Sequence, residues 1–360
     1  MKSRIEGERV AIVVADSGAS GGAERFYAGL MDGFKAIGTL PEFITVNSEE
    51  FSFEQILENY ARCAELDLSD YALVVSTKAP TYAVRHPNHV VYLVHTVRVF
   101  DDMFEDNFPD ATPEQRSQRS RVHELDFQAL SSVSARFSIG YEVSNRLYRW
   151  RGLDSKVLHP PLEFQDFREG PIGDYFFLPG RLHPWKRVDL LVDAVRSSKL
   201  PLQLIIAGTG EAEEMLRARA ADDDRISFFG HVSDFDLVDL YADALAVPFV
   251  PLREDYGYVT LEAFASGKPV LTCSDSGEPS RLVQNLQTGL VVKPCVDSVR
   301  DALEFLWQNR DYASRMGRNG RRISENMSWT ETVEILAEAG LGLPDGNRTE
   351  KPAEVAGFDM

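Results

Sequence analysis

The clearest chemical pattern lies in the segment "REDYGYVTLEAFASGKPVLTC", where seven residues separate Glu254 from Glu262. If a helix begins near Gly257, Glu254 lies in the loop before it and Glu262 lies on the helix, so the two carboxylates need not stack. One carboxylate can then meet a sugar and the other a ribose. Free backbone amides at Tyr258 and Val259 would face a phosphate between them.

A charge at a helix end beside a solvated carboxylate is the alternative explanation of this pair. It does not account for Glu262, because the neighbours of that residue are apolar and a carboxylate among them needs a hydroxyl donor. These neighbours are Leu261, Ala263, Phe264 and Ala265. The segment is therefore a stronger indication of a binding site than either glutamate alone.

A second candidate site follows a predicted strand in "LPGRLHPWKRVDLLVDAV". Arg181 and Lys186 stand five residues apart at the carboxyl end of this strand, just after Gly180. A planar guanidinium and a compact ammonium can together offset the charge that grows on a leaving nucleoside diphosphate. A solvated basic loop is the alternative for an isolated Arg and Lys pair, and the position after a strand favours the diphosphate.

Glycine-rich turns follow two further strands. In "ADSGASGGAERF", Gly18, Gly21 and Gly22 lie between the first strand and a helix, where backbone amides can approach an anion. A tight strand-to-helix turn explains the same glycines, and the pattern is not G-x-G-x-x-G. The turn "AGTGE", which contains Gly208, has the same two explanations.

His95 ends the apolar strand "HVVYLVH" and is predicted to face a cleft. A histidine there is either a satisfied hydrogen-bonding group or a contact to substrate. Two acidic clusters resemble cation motifs, at 222–224 and at Asp234 and Asp236. Ser233 is a helix N-cap that explains the second cluster and a solvated loop explains the first, so no metal site is predicted.

Short apolar, β-branched runs alternate with amphipathic helical patterns along the chain, which indicates parallel sheets covered on both faces. The sequence therefore predicts an α/β fold of two doubly wound, Rossmann-like domains that face each other across a cleft. Proline and glycine interrupt both patterns at 158–174. The predicted units are residues 1–165, residues 166–327, a helix at 328–342 that packs back on the first domain, and a mobile tail at 343–360. Ser328 and Glu331 have the spacing of a capping box.

Composition excludes several classes. Lys and Arg number 38 against 56 Asp and Glu, a net charge of −18, which argues against a dedicated nucleic-acid binder. Three scattered cysteines suggest neither a zinc ribbon nor a disulfide framework. The longest apolar run, 244–252, is about half of the roughly 18 residues that indicate a membrane span, and no signal-peptide core is evident. We expect a cytoplasmic protein, with contact to the inner face of a membrane as an open alternative.

The motifs together resemble glycosyltransferase family 4, retaining enzymes of the GT-B fold that use nucleotide-sugar donors. The resemblance covers nearly the whole chain and rests on "GGAERF", "GRLHPWKRVDLL", "AGTGE", "FFGHVSD", "EDYGYVTLEAFASGKPV" and "SWTETVEIL". It implies that the first domain binds the acceptor and the second binds the donor. It also implies stabilisation of the leaving group by cations and helix dipoles, with no metal and no cofactor.

The resemblance implies specific roles at matching positions. Arg181 and Lys186 would hold the donor diphosphate, Glu262 the ribose and Glu254 the transferred sugar. His95 would lie beside the anomeric carbon, and the backbone around His231 and Val232 would flank the base. The implied catalytic residues are His95, Arg181, Lys186 and Glu254. The implied donor-binding residues are Gly21, Gly22, Gly180, Arg181, Lys186, Gly208, His231, Val232, Glu254, Tyr256, Gly257, Tyr258, Val259 and Glu262.

The function implied is transfer of a hexose, with mannose preferred, from a GDP- or UDP-linked donor to a glycan or lipid-linked glycan in polysaccharide biosynthesis. In such enzymes the acceptor hydroxyl attacks from the face that the nucleotide leaves, and its proton passes to a phosphate oxygen. A nucleotide-sugar 2-epimerase, a phosphorylase and a non-catalytic glycan-binding subunit remain alternatives. Arg187 departs from the glycine that many relatives have after the lysine, and would add a phosphate contact or a surface charge.

One segment runs against the acidic average. Between Gln115 and Lys156 there are eight cations and four acids, a local charge of +4, with Tyr148 and Trp150 among them. A solvated helix face is one explanation, and contact with a membrane surface or an anionic lipid-linked acceptor is the other.

Overall fold

The computed structural model describes residues 5–16, 22–48, 52–163, 166–221 and 223–342. These residues form an α/β fold with two domains, each built on parallel strands. Within them, no helix is both long and apolar enough to cross a membrane.

The first domain is a six-stranded parallel sheet in the order β2-β1-β3-β4-β5-β6. Its central strands are continuous apolar runs because helices cover both faces, as the sequence predicted. The elements in chain order are β1 (Arg9–Asp16), α1 (Gly22–Ala36), β2 (Leu40–Asn47), α2 (Phe53–Ala64), β3 (Leu73–Ser76), β4 (His89–Leu93), α3 (Phe104–Asn107), α4 (Pro113–Ser131), β5 (Ala135–Ser138), α5 (Tyr141–Arg151) and β6 (Lys156–Val157).

The second domain contains two three-stranded ladders, β7-β8-β9 and β10-β11-β12. A parallel bridge between Phe176 and Ala246 joins them, so β7 and β10 lie side by side at the centre of the doubly wound order. The elements are β7 (Tyr175–Pro179), α6 (Val188–Ser197), β8 (Gln203–Ala207), α7 (Glu213–Ala220), β9 (Ile226–Gly230), α8 (Asp234–Ala242), β10 (Val247–Pro248), α9 (Tyr258–Ala265), β11 (Val270–Cys273), α10 (Pro279–Leu282), β12 (Gly289–Val292), α11 (Val296–Gln308) and α12 (Arg310–Glu325).

The last described helix, α13 (Trp329–Gly340), returns to the first domain. Its Trp329 ring fills the groove left by Gly29 on α1, where an added Cβ would lie 2.1 Å from the ring. Gly33, one turn further on, lies against the Trp329 backbone in the same way. The capping box expected at the start of this helix is wrong, because the Ser328 side chain makes no capping hydrogen bond.

The segment between the two sheets is held by polar contacts from the second domain. Buried Lys268 donates hydrogen bonds to the carbonyls of Gly170 and Pro171, at 3.2 and 2.9 Å. The Tyr256 hydroxyl donates to the Pro160 carbonyl at 2.6 Å. Burial lowers the pKa of the Lys268 ammonium to about 8. The described residues at 158–174, where the sequence predicted a break, are therefore packed against the second domain.

The loops after the strands of the second domain lie where ligands bind in doubly wound folds. Such ligands lie beyond the carboxyl ends of the strands, where the strand order reverses. In the second sheet that reversal falls between β7 and β10. The loops after these two strands contain Arg181, Lys186 and Glu254.

Candidate functional site

The loops after β7 and β10 meet through a charged pair. Lys186 Nζ lies 2.7 Å from Glu254 Oε2, and each side chain is about one quarter exposed, at 25% and 24%. Arg181, in the same turn after β7, has an exposed side chain that makes no hydrogen bond to the described residues. The sequence assigned Lys186 to a diphosphate and Glu254 to a sugar, and the structure places these two side chains in direct contact.

Arg187 fixes the loop that carries Glu254. Its guanidinium donates to the carbonyls of Val250 and Pro251, both at 2.7 Å, and binds Asp275 through two nitrogens at 2.7 and 2.8 Å. Its backbone is left-handed, with φ of +50°, a region that favours glycine. The surface charge expected for this side chain is therefore wrong, because it bonds internally to the loop after β10, and the expected phosphate contact stays a prediction.

The backbone of this loop is paired with the loop after β11. Glu254 N donates to the Ser276 carbonyl at 2.9 Å, and Glu278 N donates to the Glu254 carbonyl at 3.0 Å. Gly277 has φ of +76°, and an added Cβ would lie 2.4 Å from the Glu254 carbonyl oxygen. Glu254 thus lies on a segment held on both sides of its main chain.

Helix α9 begins where the sequence predicted, directly after Gly257. Gly257 has φ of +77°, and a Cβ there would lie 2.7 Å from the Phe249 ring. The first-turn amides of Tyr258 and Val259 have no acceptor within the helix, so the helix offers them to a ligand. Tyr256 differs from the other predicted donor residues, because its ring lies against the connecting segment and its hydroxyl is used by Pro160.

Glu262 has the hydroxyl donor that its apolar surroundings require. Tyr241 donates to Glu262 Oε2 at 2.6 Å, and Arg25 of the first domain donates to Oε1 at 3.2 Å. Arg25 also binds Asp234 at 2.9 Å. Burial raises the pKa of the Glu262 carboxyl, against the opposing effects of Tyr241 and Arg25. The sequence did not identify Arg25 or Tyr241, although Arg25 lies inside the quoted motif "GGAERF".

Backbone hydrogen bonds at three glycines link the turns that follow β7, β8 and β9 in the second domain. Gly180 N donates to the Ala207 carbonyl at 2.9 Å, and Gly208 N donates to the Gly230 carbonyl at 2.6 Å. A Cβ on Gly208, whose φ is +134°, would lie 2.0 Å from the Gly180 carbonyl oxygen. His231 is exposed and follows the end of β9 directly, with Val232 half-buried beside it. These turns therefore form one continuous rim at the strand ends.

His95 lies on the first-domain side of the cleft. Its Nδ1 is 3.0 Å from the Thr96 carbonyl oxygen. Burial lowers the pKa of the His95 imidazole, and the charge of Asp255 on the second domain opposes that shift. A neutral imidazole can donate one hydrogen bond and accept another, and it carries no charge towards a substrate. Of the glycine turn in this domain, Gly22 is the first residue of α1, and Gly21 lies outside the described residues.

The structure describes only part of the two candidate cation motifs. Ser233 caps helix α8, with its hydroxyl accepting from Asp236 N at 3.1 Å, as predicted. Asp222 lies outside the described residues. Among the residues that the structure describes, no group of three or more His, Cys, Asp or Glu side chains could hold a metal ion.

The basic segment at 115–156 offers fewer free cations than its composition suggested. Arg146 and Arg151 are buried in ion pairs, and Arg119, Arg121 and Arg136 bind carbonyls or carboxylates. The exposed aromatic Tyr148 remains, together with Arg116, Arg149 and Lys156. The internal pairs account for most of this local positive charge.

Comparison with known proteins identifies the second domain. Residues 163–323 match the family described as Glycosyl transferases group 1. The chain is 30% identical over 191 residues to O-antigen chain mannosyltransferase C of Escherichia coli, covering 52% of this chain and 50% of the relative. It is 36% identical over 173 residues to a GDP-mannose-dependent alpha-(1-6)-phosphatidylinositol monomannoside mannosyltransferase of Mycobacterium tuberculosis, covering 44% and 45%. The matched part thus spans about half the length of each relative.

A similar fold extends over both domains. Sucrose-phosphate synthase from Thermosynechococcus elongatus superposes with a TM-score of 0.73 over 92% of this chain and 98% of that structure, at 17% sequence identity. An identity this low shows the fold alone, and it agrees with the two parallel-sheet domains described above. Residues 163–323 therefore form a domain of the glycosyl transferases group 1 family, and the two parallel-sheet domains together have the GT-B fold.

Proposed function

We propose that this protein is a retaining hexosyltransferase that moves a sugar, with mannose preferred, from a nucleoside diphosphate to a glycan or lipid-linked glycan. The observation that carries the proposal is the contact between Lys186 and Glu254 at the strand ends of the second domain. It joins a cation suited to a diphosphate with a carboxylate suited to sugar hydroxyls. The same loop leads into the free amides at the start of α9.

The residues divide the donor between them. Arg181 and Lys186 would bind the diphosphate oxygens, and the first amides of α9 would add two donors to the same group. Glu262 would accept from a ribose hydroxyl and Glu254 from a hydroxyl of the sugar. The rim formed by Gly208, His231 and Val232 would flank the base. His95, on the opposite domain, would lie beside the anomeric carbon.

The chemistry needs little acid–base equipment from the protein. The acceptor hydroxyl would attack the anomeric carbon from the face that the diphosphate leaves. The bond between that carbon and the phosphate oxygen breaks as the new glycosidic bond forms, and the acceptor proton passes to the departing phosphate. Arg181 and Lys186 would stabilise the negative charge that develops on the diphosphate. His95, held neutral by burial, would not repel the positive charge that develops on the sugar.

The names of the two sequence relatives support a mannose donor, because both are mannosyltransferases and one is described as GDP-mannose-dependent. A lipid-linked acceptor is compatible with the second of these names. Contact with a membrane through 115–156 receives less support, since the buried and paired arginines described above leave few cations for anionic lipid.

The test has two parts. A thermal-shift panel of GDP, UDP, ADP and dTDP would identify the base, because a ligand at 100 times its Kd stabilises a protein by about 2.7 kcal/mol. The anomeric configuration of the product, read by NMR, would then test the mechanism. Retention supports the proposal, and inversion refutes it. Release of nucleoside diphosphate without an acceptor would favour epimerisation, and a need for inorganic phosphate would favour a phosphorylase.

A further inference from the structure

The two domains are joined by an ion pair directly beside Glu254. Arg146, on helix α5 of the first domain, places its Nη2 2.6 Å from Asp255 Oδ1 on the second. Asp255 is the residue that follows Glu254 in the chain. The contact therefore reaches the sugar-binding loop from the domain that the proposed function assigns to the acceptor.

Arg146 is fixed on its own side of the cleft. Its side chain is only 3% exposed, and its Nε lies 3.2 Å from Asp102 Oδ1. Asp102 is in turn bound by Arg98 at 2.8 Å. The neighbouring carboxylates keep the pKa of the Arg146 guanidinium above its usual value in spite of burial. Its Nη2 also lies 3.8 Å from Glu142 Oε1. A guanidinium that is held by Asp102 and Glu142 and packed inside its own domain cannot follow Asp255 if that residue moves, so it fixes the position of Asp255.

Helix α5 also contacts the loop after β11, whose backbone is hydrogen-bonded to that of Glu254. The buried carboxylate of Glu278 accepts from the amide of Glu142, at the start of α5, at 3.1 Å. Its other oxygen lies 2.7 Å from His159 Nε2. Glu278 N donates to the Glu254 carbonyl, so this second contact also ends at Glu254. Helix α5 thus holds the sugar-binding loop from two directions.

We propose that Arg146 is a positioning residue that, through Asp255, holds Glu254 in the place where it binds the transferred sugar. This inference rests on the proposed function and adds to it a dependence of the donor-sugar site on the acceptor domain. Most of the assigned nucleotide contacts come from the second domain, whereas the sugar contact at Glu254 is correctly placed only while helix α5 is docked against the loop that carries it. A misplacement of about 1 Å at a reacting centre can cost about 10²-fold in rate.

The test compares nucleotide and sugar contacts in Arg146→Met and Asp255→Asn. Calorimetry would measure the Kd of GDP and of GDP-mannose, and steady-state assays would measure kcat. We expect both variants to keep the wild-type Kd for GDP, to lose affinity for GDP-mannose relative to GDP, and to lower kcat about 10²-fold. Arg146→Lys, which keeps the charge without the fork, should recover part of this loss. If Arg146→Met does not fold, Asp255→Asn removes the same pair from its more exposed side.

A matched control is Arg151→Lys, which alters another buried arginine of α5. Arg151 pairs with Asp101 and Asp126 inside the first domain and does not reach the second. Its replacement should lower the Tm and leave the affinity ratio of GDP-mannose to GDP unchanged. The double variant Arg146→Met/Asp255→Asn should lose no more activity than the worse single variant, because both changes break one contact. Additive losses, or an unchanged affinity ratio in both single variants, would overturn the inference.

Failure of this inference and failure of the proposed function give different results. Hydrogen exchange at the amides of 253–255 reports the order of the loop without any catalysis. Faster exchange in Arg146→Met and Asp255→Asn, with transfer absent even in the wild type, would refute the proposed function and keep the positioning role. Unchanged exchange and kcat in the variants of an active wild type would refute the positioning role alone.

Discussion

Arg25 of the first domain donates a hydrogen bond to Glu262 of the second, with 3.2 Å between Nη1 and Oε1. The carboxylate assigned to the ribose is thus already bound in the protein alone, by Arg25 on one oxygen and by Tyr241 on the other. Two carboxylate oxygens have about four acceptor positions, so a ribose hydroxyl can be added without displacing either donor. Arg25 then acts on nucleotide binding through the charge of Glu262.

The first prediction concerns Arg25→Met. The Arg25 charge favours the ionised form of the Glu262 carboxyl. Its loss therefore raises the pKa of this carboxyl further above the value that burial has already raised. A protonated carboxyl accepts hydrogen bonds poorly, so the affinity for GDP should fall more at pH 5.5 than at pH 8. Calorimetry at both pH values, with Arg217→Met as an exposed control on α7, would measure this difference. Equal losses at both pH values would show that Arg25 acts otherwise than through Glu262.

The second prediction concerns stability against pH in Glu262→Gln. The folded-state pKa of Glu262 lies above its unfolded value, so its stabilising contribution is full below the unfolded pKa and is lost as the pH rises through the folded one. Glutamine has no such titration. The Tm of the variant should therefore increase relative to the Tm of the wild type as the pH rises from 4 to 8. Its affinity for the nucleotide should nevertheless be lower than that of the wild type. Thermal unfolding of both proteins across this range checks the sign, and a constant Tm difference would contradict it.

The third prediction separates the two glutamates of the pair. Glu254→Gln should lower kcat about 10²-fold, in the range for loss of one group that stabilises a transition state, while the Kd for GDP stays close to that of the wild type. Glu254 is assigned to the sugar and does not contact the nucleotide in this assignment. Glu325→Gln, which alters an exposed carboxylate on α12, is the matched control. A large loss of GDP affinity in Glu254→Gln would reverse the assignment.

The sequence predicted the fold because the fold depends on local patterns. Apolar strand lengths define the parallel sheets, and Gly257 marks the start of the helix that carries Glu262. The family and the GT-B fold are likewise confirmed. The roles of the individual side chains stay predictions, including those of His95 and Tyr256.

What the sequence missed are contacts between residues far apart in the chain. Arg25 lies 237 residues from Glu262, and Arg146 lies 109 residues from Asp255. No spacing rule reports such pairs, since they exist only after the two domains dock. The +4 segment was misleading for the same reason, because its arginines find carboxylates and carbonyls elsewhere in the fold. A charge count along the chain does not include those partners.

The fourth prediction concerns the diphosphate. Lys186→Ala should weaken GDP binding more than GMP binding, because the ammonium is assigned to the diphosphate and a monophosphate offers it less charge. The variant also leaves Glu254 without its cation, so kcat should fall together with affinity. Calorimetry with GDP and GMP measures the difference, and Lys199→Ala, which alters an exposed lysine after α6, is the control. Equal losses for both nucleotides would remove Lys186 from the diphosphate site.

The last prediction concerns Arg187. The left-handed backbone of this residue destabilises the fold, whereas the hydrogen bonds of its side chain stabilise it. Arg187→Gly relieves the cost of φ at +50° and removes every bond to Val250, Pro251 and Asp275. A left-handed non-glycine residue costs of order 1–3 kcal/mol, and hydrogen bonds of a charged group contribute about 1.5–3 kcal/mol each. Three such partners outweigh the strain, so the variant should have a lower Tm. Its kcat should also fall, because the loop that carries Glu254 loses its hydrogen bonds to the Arg187 side chain.

Arg187→Asn, which tolerates the backbone but cannot reach the same partners, should behave like the glycine variant. A glycine variant with a raised Tm and full activity would show that strain dominates and that the loop is held by its backbone pairing alone.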